Sequence, residues 1–208
     1  MPLSLQFHAA SGTLHHDGRV FDAWQLSWST TPTPEGCDPV APSQALARLA
    51  ALGRLRRVPV GIIGPRTASP EEAGMAEHLG GELTRIGLQI ICGGKSGVME
   101  AACLGASAAG GQPIGLLPDN EWSEANPHVT IPVATGIGPA RNAIIARACL
   151  ALVAVGGGYG TLSEIAFGLQ FERLVLTLGH APQVSGAISC TTVDDAVERV
   201  ARRFLGLG

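Results

Sequence analysis

The densest chemistry in the chain lies between Val155 and Glu164, VGGGYGTLSE. Three consecutive glycines follow the apolar run Leu150 to Val155, and a helix-like run from Leu162 to Gln170 comes after them. A strand that breaks into bare backbone and then enters a helix presents N–H groups at a positive helix terminus. That arrangement binds anions, above all phosphate. Thr161 offers a hydroxyl at the helix start, and Glu164 stands one turn further on the same face. The carboxylate has two readings. It is either a capping-box partner of Thr161 in a Thr-x-x-Glu pattern, or a group that acts on the ligand's sugar or base as acid, base or acceptor.

Two further segments carry chemistry. Cys92-Gly93-Gly94-Lys95-Ser96-Gly97 is a second Gly-rich junction between a strand-like and a helix-like run. Thirteen of the 14 basic residues are Arg, and the single Lys is Lys95 in this loop. It reads either as a solvated loop charge or as a compact cation reaching a ligand phosphate. In Gly136-Ile137-Gly138-Pro139-Ala140-Arg141-Asn142, Arg141 opens a helix, where a cation opposes the dipole. A bound anion or a pairing with Glu164 accounts for that placement; a surface arginine without a role is the alternative. The familiar nucleotide motifs fail. A Walker A loop needs glycine where Gln89 stands, and GxGxxG ends on Thr161 or Ser163.

The elements that must position these residues alternate from Val58 onward. Strands are expected at 58–63, 88–92, 113–117, 129–134, 150–155 and 174–178. Helices are expected at 70–86 (Ser69 as cap), 98–109, 139–149, 162–170 and 193–204. This alternation predicts an α/β fold, a doubly wound and mainly parallel Rossmann-like sheet whose ligands bind beyond the carboxyl ends of its strands. Residues 1–57 read differently, as an N-terminal β-hairpin and linker extension to a domain over 58–208. Asp17-Gly18 supplies a tight turn between Leu14 and Phe21. Three prolines and a glycine between Thr30 and Pro39 make a linker or extended crossing, and a short helix 43–52 follows with Ser43 as cap.

GGKSGVMEAACLGA, GIGPARNAIIARA and VGGGYGTLSE together resemble the three signature segments of the LOG-like Rossmann superfamily, over roughly 58–204. That group includes nucleoside 5′-monophosphate phosphoribohydrolases, long mislabelled lysine decarboxylases, and molybdenum cofactor carrier proteins. The resemblance implies that Arg141 and Glu164 fall on catalytic positions and that phosphate lies on Gly157, Gly158, Gly160 and Thr161. Tyr159 and the first loop's Gly93, Gly94, Lys95 and Gly97 complete the expected ligand contacts. Two departures are visible. Gly156 replaces the proline of PGGxGTxxE, and Gly138-Pro139-Ala140-Arg141-Asn142 replaces Met-His-x-Arg-Lys; both look more like the carrier branch. The function expected is binding of a phosphorylated nucleotide or molybdopterin-type cofactor, carrier-like, with N-glycosidic hydrolysis as the alternative and a structural or sensory module without phosphate affinity as the third class. Hydrolysis would need no cofactor; the molybdenum cofactor would be cargo. Lysine decarboxylation is excluded, because a pyridoxal Schiff base needs a lysine and the only one sits in a Gly loop.

Bulk properties agree with that frame. The 208 residues suffice for one α/β domain or a domain with an appendage. A 46% hydrophobic content with 28 Gly suits a buried parallel sheet. A net charge of −3 argues against non-specific nucleic-acid binding. No signal peptide or membrane span is read, which with five cysteines lacking a CxxC pair points to free thiols in the cytoplasm. The histidines show no metal spacing, so no metal site is expected. The resemblance further implies a homo-oligomer, dimer or tetramer, with apolar stretches such as 144–151 as interfaces.

Overall fold

The computed structural model describes residues 5–207. Seven strands form one sheet: β6 (Pro59–Ile63), β7 (Gln89–Cys92), β8 (Ile114–Leu117), β9 (Ile131–Ala134), β10 (Ala151–Val155), β11 (Leu174–Leu178) and β12 (Ile188–Ser189). Their order is β12-β11-β10-β6-β7-β8-β9, and every pairing is parallel. Between them run α2 (Pro70–Arg85), α3 (Val98–Ala108), α4 (Arg141–Ala148) and α5 (Tyr159–Gln170), with α6 (Val193–Phe204) closing the chain. The chain is therefore α/β with a doubly wound, Rossmann-like parallel sheet.

Alternation along the strands separates two cores. On one face Val60, Ile62, Val153 and Val155 pack with Leu79 and Leu83 of α2, Ala102 of α3 and Val200 of α6. On the other, Ile63, Leu152 and Ala154 pack with Ile145 of α4 and Ile165 of α5. Because successive side chains of a strand point to opposite faces, helices on both sides make each strand apolar throughout. Every residue of β10 is buried. β6 pairs with β7 on one side and β10 on the other. The chain thus reverses direction across the sheet between β6 and β10, and the crevice beyond their carboxyl ends is where such sheets take ligands.

The N-terminal segment exceeds a hairpin. β1 (Gln6–His8), β2 (Thr13–His16), β3 (Arg19–Asp22), β4 (Ser27–Thr30) and β5 (Asp38–Pro39) make an antiparallel sheet of order β4-β3-β2-β1-β5. The expected turn joins β2 to β3, with Asp17 at φ 49 and Gly18 at φ 68. The proline-rich stretch is the extended crossing that returns β5 to pair with β1. This sheet shares the larger core: Phe7, Leu14 and Phe21 belong to the same buried cluster as Phe204. The Phe21 and Phe204 rings stand 6.2 Å apart, and Trp28 Nε1 donates to the Leu205 carbonyl at 2.7 Å.

Several element limits differ from expectation for local reasons. α1 spans Pro42–Ala51 and begins one residue before Ser43, whose N–H donates to Glu198 Oε2 rather than being capped. Proline needs no N–H partner at a first helical position, so the helix starts on it. α4 is shorter than expected. Gly138–Ala140 forms a 3-10 turn and the α-helix begins at Arg141. Cys149 is already extended, so residues 149–151 leave the helix and of the expected interface stretch Ile144 remains an exposed apolar side chain on α4. Ser69 caps α2 as expected, with its oxygen accepting from Glu72 N at 3.2 Å.

Candidate functional site

The crevice between β6 and β10 holds a cavity of about 400 Å³. Its floor begins with α5. Gly158 is the N-cap, no side chain caps the helix and its first turn contains no acid. The first intrahelical bond of that turn runs from Leu162 N to Gly158 O, so the amides of Tyr159, Gly160 and Thr161 precede it. α2 and α6 contrast with this. Ser69 and Thr192 cap them, and Glu71, Glu72, Asp194 and Asp195 fill their first turns. Of these three, only α5 starts without a side-chain cap and without an acid in its first turn.

Gly156 adopts φ +58 and donates its N–H to the Leu178 carbonyl at 3.2 Å. Proline could do neither, since its ring fixes φ near −65° and it has no N–H. A side chain here would also meet Glu72 Oε1 at 1.9 Å from its Cβ. The replacement of the family proline is thus built into this loop's geometry.

Arg141 and Glu164 meet in the cavity wall. Arg141 Nη1 donates to Glu164 Oε1 at 2.8 Å, and the two residues are 7% and 6% exposed. Glu164 therefore pairs with Arg141, not with Thr161, which lies inside the first turn of α5 rather than at its cap. Burial pushes the Glu164 carboxyl up to about 7, and the adjacent guanidinium opposes this without cancelling it. Arg141 Nε is buried and without a hydrogen-bond partner. Such an orphaned donor is costly unless something else satisfies it. Asn142 braces the pair of helices, with Nδ2 donating to Ser163 Oγ at 2.8 Å.

Of the residues expected at a ligand, Gly158, Gly160, Thr161, Arg141 and Glu164 line this cavity. Gly157 packs beneath the turn against Thr161 and Pro182, and Tyr159 points to solvent at 94% exposure. The first glycine loop is placed otherwise. Gly93 has Arg141 Nη2 only 2.1 Å from where a Cβ would stand, so its role is to make room for that guanidinium. Gly94 lies against Leu117 and Gly115, and Gly97 against Pro65 and Arg66. Lys95 is not among the residues that line the cavity: its Nζ reaches Asp119 Oδ2 and the Glu124 carbonyl, each at 2.8 Å. The ammonium holds the Asp119 carboxyl below its ordinary value. An internal ion pair, rather than a ligand phosphate, is what neutralises the chain's one lysine.

Arg66, Met99, Pro118 and Pro139 are among the lining residues that sequence reasoning missed. Arg66 follows β6 in Gly64-Pro65-Arg66, held there by Ser96 Oγ donating to its carbonyl at 2.9 Å. Its position after the first strand of the parallel sheet was the available signal. Beneath the cavity Cys92 and Cys103 approach at 3.4 Å between sulfurs, both fully buried. All five cysteines are free, and among the described residues no group of three or more His, Cys, Asp or Glu is placed to hold a metal.

A doubly wound parallel sheet with an uncapped glycine-rich helix terminus at its switch point, beside a buried Arg–Glu pair, defines a Rossmann-like α/β class of protein. The chain belongs to the SLOG cluster4 family, whose profile matches residues 57–201. It is 36% identical over 143 residues to an uncharacterized protein of Archaeoglobus fulgidus, covering 69% of this chain and 94% of that one. Among solved structures it is similar to the Moco carrier protein of Chlamydomonas reinhardtii, with 32% identity, a TM-score of 0.67, and 73% of this chain and 100% of that chain covered. The molybdenum cofactor binding protein of Rippkaea orientalis gives 30% identity and a TM-score of 0.66, over 70% and 96% of the two chains.

Proposed function

We propose that the chain is a carrier of a phosphate-bearing, molybdopterin-type cofactor. The phosphate sits on the amides that open α5, and Arg141 and Glu164 engage the ring system. The observation that carries this reading is the uncapped, acid-free start of α5 beside a buried Arg141–Glu164 pair with an unsatisfied Nε. The likeness to a Moco carrier protein and to a molybdenum cofactor binding protein supports the choice of ligand. Gly156 supports it too, since its φ and N–H bond are incompatible with the proline of the phosphoribohydrolase pattern.

One observation favours the second reading. A carboxyl pushed up to about 7 and buried against a cavity is suited to acid–base work near neutrality. In that reading water adds across the C1′–N bond of a nucleoside 5′-monophosphate, releasing free base and ribose 5-phosphate, while ionised Glu164 stabilises positive charge developing at C1′.

Calorimetry with a phosphate-bearing pterin and with AMP, alongside chromatography for free base, separates the two. The carrier reading expects pterin binding without release of base from AMP. Gly158→Asp should then weaken pterin binding at least tenfold, because it adds a carboxylate to the cradle where a Cβ meets nothing within 4 Å. Base release that disappears in Glu164→Gln would replace the carrier with the hydrolase. Absence of affinity for either ligand would overturn both.

A further inference from the structure

Three residues with charged side chains line the crevice cavity: Arg66, Arg141 and Glu164. Arg141 and Glu164 neutralise each other across 2.8 Å. Arg66 is the remaining charge, and among the described residues its guanidinium makes no hydrogen bond or ion pair. The carrier reading uses the α5 amides, Arg141 and Glu164, and leaves Arg66 without a task.

Backbone contacts fix where Arg66 stands. Gly64 abuts the end of β10, since a Cβ there would meet the Val155 carbonyl at 2.6 Å. From that point the chain turns over the loop that follows β7. Val98 N donates to the Pro65 carbonyl at 3.2 Å, and Ser96 Oγ to the Arg66 carbonyl at 2.9 Å. Gly97, at φ +69, permits this approach, because a Cβ on it would stand 2.4 Å from Pro65 O and 2.6 Å from Arg66 O. The strand order runs β10-β6-β7-β8, so the turn carries Arg66 to the β7 side while α5 starts on the β10 side. Neighbouring strands lie about 4.8 Å apart, which separates the ends of β10 and β7 by roughly 10 Å. The charge of Arg66 bears on Asp119, next to the lining residue Pro118 after β8. Lys95 already holds that carboxylate at 2.8 Å, so Arg66 is not committed to it.

A phosphate in the cradle is served without Arg66. The amides of Tyr159, Gly160 and Thr161 offer one donor for each terminal oxygen, with the helix dipole behind them. A guanidinium on the far side, anchored at its backbone and unengaged at its fork, suits a different anionic group that it can hold with two parallel bonds. From this placement we infer that the ligand of the cavity is anionic at both ends, and that Arg66 binds the second oxyanion and selects such ligands over singly phosphorylated ones. The first end rests on the carrier reading; Arg66 adds the charge class of the other.

Calorimetry on the full chain with hexane-1,6-diol monophosphate and hexane-1,6-diol bisphosphate tests this, since the two share a flexible body and differ by one anion. The bisphosphate should bind at least tenfold more tightly, one molecule per chain. Arg66→Ala should weaken the bisphosphate about tenfold and the monophosphate less than twofold. Arg66→Lys should recover only part of the gap, because charge returns without the fork. Thermal unfolding should move little in either variant, as Arg66 is exposed and its carbonyl makes the contact with Ser96. Equal affinity of the two probes for the wild type, or a gap that survives Arg66→Ala, overturns the inference and leaves the cradle standing. Equal weakening of both probes by Arg66→Ala also overturns it, since the arginine then closes on the cradle's own phosphate, and so does binding of neither probe. Failure of the cradle itself reads differently: both affinities would be unchanged in Gly158→Asp.

Discussion

Glu164 sits between two opposed effects, loss of water around its carboxylate and attraction from Arg141, and the first is the larger. Its carboxyl stands near 7 in the folded protein against an ordinary 4.5, so between these values the folded state binds more protons than the unfolded one. Stability contributed by this group is therefore fully present below about pH 4.5 and declines as pH rises toward 7. In the proposed carrier the same proton would govern anion binding. Neutral Glu164 does not repel an anion in the cradle, whereas ionised Glu164 does. Sulfate, whose charge is constant over this range, should bind more weakly as pH rises through 7, and Glu164→Gln should flatten that dependence. A wild-type profile already flat would remove Glu164 from the binding energetics. Arg141 was legible as chemistry because a cation opening a helix opposes the dipole, and Glu164 because it stands one turn beyond Thr161 at a glycine-rich helix start. Lys95 was not legible. Its partners Asp119 and Glu124 lie 24 and 29 residues away, and only the tertiary fold brings them to its ammonium.

Elements with a long, strongly apolar pattern were placed from sequence within one or two residues, β6, β10, β11, α2 and α6 among them. β5 and β12 were not, since two residues carry no periodicity and their strand character comes from pairing alone. The N-terminal sheet was half visible. Its tight turn has a chemical signature, but β1 and β4 are too short to show a pattern, and β5 returns across the whole segment to pair with β1, Pro39 opposite Gln6. The contact of this sheet with α6 has an energetic consequence. Phe21 is 6% exposed, 4.9 Å from the Trp28 ring and 6.2 Å from that of Phe204. Truncating a buried aromatic of this kind costs about 3–5 kcal/mol. Phe21→Ala should lower stability by that order in urea unfolding, with a single transition, since sheet and helix share one core. Two separate transitions, or a loss below about 1 kcal/mol, would mean that the N-terminal sheet is an independent appendage.

Apolar side chains left exposed among the described residues include Ile144 on α4, Leu162 and Phe167 on α5, and Ile131 and Val133 on the edge strand β9. Exposed apolar clusters of this sort mark interaction surfaces. A second copy of the chain is the proposed occupant, and light scattering after size exclusion should report a mass above 21.3 kDa that falls toward it in Ile144→Asp/Phe167→Asp. A wild-type monomer would discard the oligomer. Among the described residues no helix is long and apolar enough to cross a membrane. The bond from Trp28 Nε1 to the Leu205 carbonyl spans 177 residues. During synthesis β1 to β4 leave the ribosome long before α6 exists, so the surface carried by Phe21 and Trp28 must wait until α6 has been translated. That helix is the one that lets the N-terminal sheet settle, and a nascent chain halted before Val193 exposes that aromatic face to whatever chaperone or neighbouring chain meets it first.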